Sequence, residues 1–319
     1  MEVAAINLWM LSRLGEILAT AHRVGVPVIV LKGGVLLRWL YRLNERRMND
    51  IDVLVRPSDS ARLIRALGLR ALPRPEQGSR RTIRSGGPAG EFVRDFAGLQ
   101  LDIHHHVLTP AWLRRVIQLD DRGAWERAES CEIAGQPALR LSPEDQLIHL
   151  VGHTVLHHAD WSAAALEDVR RLLESTQVRW PLVGDLIMRQ RLATAMWVAL
   201  SSEHVRHLVP ESFIAGLRPR FSRRLLVRVA VRLKNAGDAN AAQMLLTDRL
   251  RDPVLALPVR LLPSPSWLES RYPALPTDAW RLSWHVVRVL LTLLRVPVLA
   301  SVALGRALRD AVPAGRPRS

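Results

Sequence analysis

The stretch from Val28 to Val55, VIVLKGGVLLRWLYRLNERRMNDIDVLV, constrains the fold more than any other part of the chain. An apolar run ending at Leu31 reads as a strand, Lys32-Gly33-Gly34 turns it into a helical pattern, and a second apolar run carries Asp50 and Asp52. Successive strand residues point to opposite faces, so Asp50 and Asp52 project together while Ile51 turns into a core. A carboxylate pair of that kind suits one or two hard cations, and glycines at a helix start let backbone amides approach phosphate. Taken singly, Gly-Gly is an ordinary turn and Asp-x-Asp an ordinary strand edge. Joined as strand, turn, helix and strand, they are harder to dismiss.

Lys32 adds a compositional argument. Only Lys32 and Lys234 are lysines in a chain whose other cationic side chains are arginine. An ammonium is a compact charge that fits under a phosphate where a planar guanidinium is too wide.

At these positions the chain resembles the nucleotidyltransferase superfamily, and within it the "uncharacterised nucleotidyltransferase" family. Leu31-Lys32-Gly33 stands at that family's turn, Arg47-Met48-Asn49-Asp50-Ile51-Asp52 at its metal-binding strand, and Leu101-Asp102-Ile103-His104 at a further strand. The superfamily more usually has Gly-Ser in the turn; Gly33-Gly34 lacks that hydroxyl. The stretch LSPEDQLIHLVGHTVLHHADW followed by LEDVRRLL is similar to the family's second block and places His153, His158 and Asp168 at matching positions. The resemblance implies an α/β fold, a minimal nucleotidyltransferase-like mixed sheet with flanking helices, followed by an all-helical C-terminal region.

It further implies that Asp50, Asp52 and Asp102 are the catalytic and metal-binding residues for Mg²⁺ or Mn²⁺. Lys32, Gly33, Gly34 and Arg47 would bind a nucleoside triphosphate, with His104, His153, His158 and Asp168 supporting the site from around it. The implied reaction moves a nucleoside monophosphate to the hydroxyl of an unknown acceptor and releases pyrophosphate. A non-catalytic protein that binds nucleotide or a membrane on a degenerate transferase fold is the alternative.

Along the chain, apolar periodicity predicts a helix from Ile6 to Val24 ended by Gly25, and one from Gly33 to Leu43. In the second, Leu36, Leu37, Leu40 and Tyr41 are expected against the sheet, with Arg38, Arg42 and Arg46 facing out. A short helix from Ser60 to Leu67 is stopped by Gly68. Strands are expected at Arg80 to Ser85, Glu91 to Phe96 and Leu99 to Val107, with a hairpin loop at Gly86 to Gly90 and a tight turn at Gly98. Ala128 to Ile133 and Ala138 to Leu141 read as a hairpin, and Ser142-Pro143-Glu144-Asp145 as a capped helix start.

Asp102 and His104 share the polar face of their strand; His105 points the other way, so His104-His105-His106 is a poor metal cluster. His149, His153 and His157 recur every four residues, which puts them in line along one α-helical face. Spread over about three turns they do not converge on one ion.

From Trp161 to about Leu233 the pattern is helix after helix, Trp180 and Trp197 being core residues. Asp252 to Pro276 is proline-rich and aperiodic, which suggests a linker or an extended packing arm. These shifts divide the chain into an α/β domain at 1–141, a helical domain at 142–250, and a linker with an apolar, basic tail at 251–319.

In the tail, Arg288 and Arg295 interrupt the apolar run and Pro297 breaks or kinks it, leaving no uncharged run long enough to span a bilayer. Either a helix on an anionic membrane surface, through residues 280–308, or a core helix fits the pattern.

With 319 residues, 48% apolar and 24% charged, the chain can bury a sizeable core. Its formal net charge of +15 predicts attraction to polyanions, while the lack of a helix-turn-helix, zinc-finger or RNA-binding signature argues against nucleic acid as the partner. The single cysteine, Cys131, excludes an internal disulfide and fits a reducing cytoplasm, and the N-terminal apolar residues read as a helix and not as a signal peptide. Cytoplasmic localisation, peripheral at the inner membrane face, is the expectation.

Overall fold

The computed structural model describes residues 2–69, 91–96, 99–108, 112–235, 238–263 and 265–311. The strand expected at Arg80 to Ser85, the loop at Gly86 to Gly90 and the turn at Gly98 lie outside the described residues.

Six strands form one mixed sheet in the order β3-β4-β2-β1-β6-β5. They are β1 (Ile29–Val30), β2 (Ile51–Leu54), β3 (Glu91–Phe96), β4 (Leu99–His104), β5 (Glu129–Ile133) and β6 (Gln136–Arg140). β2 runs parallel to β4 and β1 parallel to β6; the other neighbours are antiparallel. The β5–β6 hairpin turns through Ala134 and Gly135, both at positive φ (52° and 73°), the twist-compatible two-residue turn.

β1 and β2 are covered on both faces, which is why they read as near-continuous apolar runs. On one face Val30, Ile51, Val53, Leu101 and Ile103 join the main core with α1 (Glu2–Arg23) and α2 (Lys32–Trp39). On the other, Ile29, Leu31 and Leu54 meet Val107, Ala124 of α4 (Asp121–Glu126) and Leu141 in a small separate cluster. Asp52, Asp102 and His104 alternate onto that second face.

α1 begins and ends close to expectation, with Gly25 at φ 65° closing it. α2 is shorter than predicted and stops at Trp39; Leu36, Leu37 and Leu40 are buried as expected, and Tyr41 packs on the core partly buried. Arg46, expected to face out, instead turns with the Tyr41 hydroxyl to a carboxylate on a distant helix. α3 (Pro57–Ala66) ends at Gly68, φ 68°.

α5 (Pro143–Val151) starts with Ser142 accepting a hydrogen bond from the Asp145 amide at 3.3 Å. It does not continue as α-helix through the histidines. Gly152–His157 forms a π-helical turn, with the His158 amide reaching back to the His153 carbonyl at 3.1 Å. Helices α6 (Glu167–Ser175), α7 (Trp180–Gln190), α8 (Ala193–Leu200), α9 (Glu211–Leu217), α10 (Phe221–Asn235) and α11 (Ala239–Leu245) follow, with Trp180 and Trp197 packed on the core.

Where a linker or extended arm is expected, the chain forms α12 (Asp252–Leu261) and α13 (Pro265–Arg271). Pro253 and Pro265 sit in first turns, where a missing N–H costs nothing, while Pro258 lies inside α12. The tail is one helix, α14 (Asp278–Ala311), that continues through Pro297. Its segment Asp278–Leu299 is long and apolar enough to cross a membrane by length and composition alone, with Arg281, Arg288 and Arg295 interrupting the apolar run.

Candidate active site

The parallel pairing of β2 and β4 sets Asp52 opposite Asp102 and Leu54 opposite His104. Side chains at positions 52, 102 and 104 therefore emerge on one face of adjacent strands, and ligand atoms from Asp52, Asp102 and His104 lie within 4.8 Å of one another. Asp50 precedes β2 at a half-buried position, outside that closest group but within its electric field.

Asp52 is the centre of the arrangement. It is buried to 1% exposure, and its Oδ1 accepts from Lys32 Nζ at 2.6 Å and meets His104 Nε2 at 2.7 Å. Burial pushes its carboxyl up, but the His104 contact and the Lys32 charge together outweigh this and hold it down at about 2. Asp50 and Asp102 go the other way. Burial and then the Asp52 charge raise Asp50; burial raises Asp102, the Gln100 amide at 3.2 Å only partly opposing it. One carboxylate is held ionised while its neighbours are made more basic.

Lys32 reaches Asp52 from the first residue of α2 with φ 45°, a backbone conformation that costs a non-glycine residue about 1–3 kcal/mol. Leu31 ahead of it gives no side-chain cap, so the first amides of α2 are not capped by a side chain from that position. Gly33 and Gly34 are buried, and a Cβ at either would meet a neighbour below 3.0 Å: Met48 Cγ at 2.9 Å for Gly33, Val30 Cγ1 at 2.7 Å for Gly34. These glycines let the helix start sit tight on the sheet.

Arg46 does not face solvent. It pairs with Asp168 of α6 through Nε and Nη2, both at 2.9 Å, and Tyr41 donates to the same carboxylate at 2.5 Å. Asp168 thus ties the helical part to the segment leading into β2. Arg47 is exposed and lines a cavity of about 410 Å³ together with Tyr41, Arg46, His153, His158 and Asp168.

Asn7 is a residue the sequence reading missed. Fully buried in α1, its Nδ2 donates to the carbonyls of Leu43 (2.6 Å) and Arg46 (2.7 Å) while its Oδ1 accepts from the Met48 amide at 2.9 Å. It holds the loop that delivers Arg47 and Asp50. The signal was present: a polar residue at helical spacing from Met10, Leu11 and Leu14, on the buried face.

His105 and His106 fall outside the group formed by Asp52, Asp102 and His104; His106 Nδ1 meets Asp121 at 2.6 Å. His149 is buried with Nδ1 on the Val107 carbonyl at 2.8 Å, and burial followed by the Lys32 charge lowers it to about 4. His153 and His158 are also lowered, first by burial and next by Lys32. The row beside Lys32 is therefore neutral imidazole. The straight line expected for His149, His153 and His157 is broken by the π-turn, which gathers His153, His157 and His158 instead.

The carboxylate cluster fits a divalent cation. Asp52 Oδ2 is buried with no hydrogen-bond partner among the described residues, and oxygen donors beside one imidazole suit a hard or borderline ion.

A family model described as "Uncharacterised nucleotidyltransferase" matches residues 2–220. The solution structure of the antibiotic-resistance factor ANT(2'')-Ia is similar at 17% identity and a TM-score of 0.38, covering 56% of this chain and 90% of that one. No curated protein matches.

Proposed function

The chain belongs to the uncharacterised nucleotidyltransferase family, and from that premise we propose a metal-dependent enzyme that moves a nucleoside monophosphate from a triphosphate to an acceptor hydroxyl. The observation that carries this reading is the in-register convergence of Asp52 and Asp102 beside Lys32 and His104. Converging carboxylates are costly to hold without a cation to answer them.

Asp50, Asp52 and Asp102 would hold Mg²⁺ or Mn²⁺, with His104 orienting Asp52. Bound there, a divalent ion neutralises the triphosphate and stabilises the charge that develops at phosphorus. Lys32 and Arg47 add positive charge, and the Gly33 and Gly34 amides open the helix toward phosphate. Asp102, made more basic by its surroundings, takes the proton of the acceptor hydroxyl. The acceptor oxygen bonds to the α-phosphorus, the bond to the β-phosphate oxygen breaks, and pyrophosphate leaves. Arg46, Tyr41 and Asp168 keep the Arg47 segment in place beside the cavity, which is where we place the acceptor.

The test is pyrophosphate release from each common triphosphate in the presence of cell extract and Mg²⁺. Asp52→Asn should erase both metal-coupled triphosphate binding and turnover. Asp102→Asn should keep much of the binding and lose turnover by at least about a hundredfold. Metal-coupled binding without any Asp102-dependent release would favour the non-catalytic alternative.

We also propose that α14 rests on an anionic membrane at the cytoplasmic face. Trp280, Trp284, Leu291, Leu294 and Val298 lie exposed along it, with Arg295, which pairs with Asp238 at 3.3 Å, exposed at their margin. Vesicle flotation should show binding to anionic but not neutral lipid, reversed by salt and lost in Leu294→Asp. No flotation, or binding that resists salt, would overturn surface association.

A further inference from the structure

The π-turn after α5 creates a second cluster that the reaction above does not use. In an α-helix of about 3.6 residues per turn, position i+5 points about 140° away from i. The π-turn widens the helix by one residue per turn, so His157 and His158 both come beside His153. Gly152 opens the turn in close contact with its neighbour: a Cβ there would meet Leu108 Cδ2 at 2.6 Å, and Leu108 is buried.

The rings are ordered as a group. His157 and His158 stack at 4.6 Å with 12° between their planes, and His153 stands nearly perpendicular to both, at 82° and 86°. His153 Nδ1 lies 3.3 Å from His157 Nδ1, and His153 Nε2 lies 3.1 Å from His158 Nε2. Two imidazole nitrogens bound about 2.0–2.1 Å from a tetrahedral zinc ion sit about 3.3 Å apart; because the two contacts use opposite nitrogens of His153, one of them corresponds to a ligand pair for a single ion. One ligand atom from each of the three rings already falls within 4.8 Å of the others, so turning the third ring toward the paired nitrogens completes the geometry.

We propose that His153, His157 and His158 form a binding site for a divalent transition-metal ion of the zinc class, with its fourth coordination position open to the cavity. The donor chemistry separates it from the carboxylate cluster: three neutral imidazoles prefer zinc, cobalt, nickel or copper, whereas carboxylates prefer magnesium or manganese. His153 and His158 line the cavity that also holds Arg46, Arg47 and Asp168. Three protein ligands and an open position are the composition of zinc sites that grip a substrate or water, not of closed structural ones. A ligand carrying a thiolate, imidazole or carboxylate would fill that position.

Cobalt(II), a visible-absorbing stand-in for zinc, tests the site in the full chain after chelator treatment. The expected result is about one tightly bound cobalt per chain with the intense visible bands of four-coordination, displaced by zinc and not by excess magnesium. His157→Ala and His158→Ala should each weaken it by at least about tenfold. Asp52→Asn should leave it unchanged, which separates this site from the carboxylate cluster whatever the outcome for catalysis. His158 is exposed, so its variant keeps the test valid if His157→Ala does not fold. Absence of stoichiometric cobalt, indifference to both histidine substitutions, or loss of binding in Asp52→Asn would each overturn the proposal.

Discussion

The carboxylate cluster on β2 and β4 and the imidazole cluster on the π-turn are both gathered around the reach of Lys32, yet different rules assemble them. The first is set by strand register. Asp52 faces Asp102 because a parallel pairing fixes opposite residues, and a slip of one position would carry every core side chain to the wrong face. The second is set by a local departure from regular helix, which a spacing rule does not contain. A strand cluster is thus protected by the whole apolar pattern of the sheet, while the helical cluster sits on a turn whose first residue, Gly152, has no room for a Cβ beside Leu108.

That contrast can be broken at Gly152. Gly152→Val places a branched side chain against buried Leu108 and should cost about 2 kcal/mol by overpacking, read as a lowered urea midpoint. It should also destroy cobalt binding while leaving magnesium-coupled triphosphate binding in place. Loss of both would show that the two clusters are one cooperative unit.

Within the sheet, opposite signs are expected for two neighbouring carboxylates. Asp52 is held down at about 2, so it contributes stability above its unfolded value of about 3.9 that disappears as pH falls through about 2. Asp52→Asn should therefore destabilise the protein by about 2 kcal/mol at neutral pH, with the gap from wild type narrowing below about pH 4. Asp102 is raised, and its charge opposes folding at neutral pH. Asp102→Asn should stabilise the protein, by about 1 kcal/mol or less because the group is partly exposed. Equal signs for the two substitutions would mean that the field of Lys32 and His104 is not centred on Asp52.

Some errors of the sequence reading share a cause with the histidine turn. Helical periodicity turns Arg46 outward, but α2 ends at Trp39 and Arg46 reaches Asp168, more than 120 positions away in sequence, beside the Tyr41 hydroxyl. The proline-rich segment reads as irregular because prolines interrupt a pattern, although two of them begin helices.

The sequence by itself determined the α/β beginning, the helical remainder, the strand bearing Asp50 and Asp52, and the shared face of Asp102 and His104. These follow from periodicity and from the family's motifs, whose short-range geometry is nearly independent of the rest of the chain. Tertiary structure alone decided that β4 lies directly beside β2, that Asn7 pins the loop before Asp50, that Arg46 turns inward, and that His158 replaces His149 in the imidazole group. The physical reason is common to all four. Each depends on which distant group satisfies a buried donor or fills a space, and that is fixed only when the elements pack against one another.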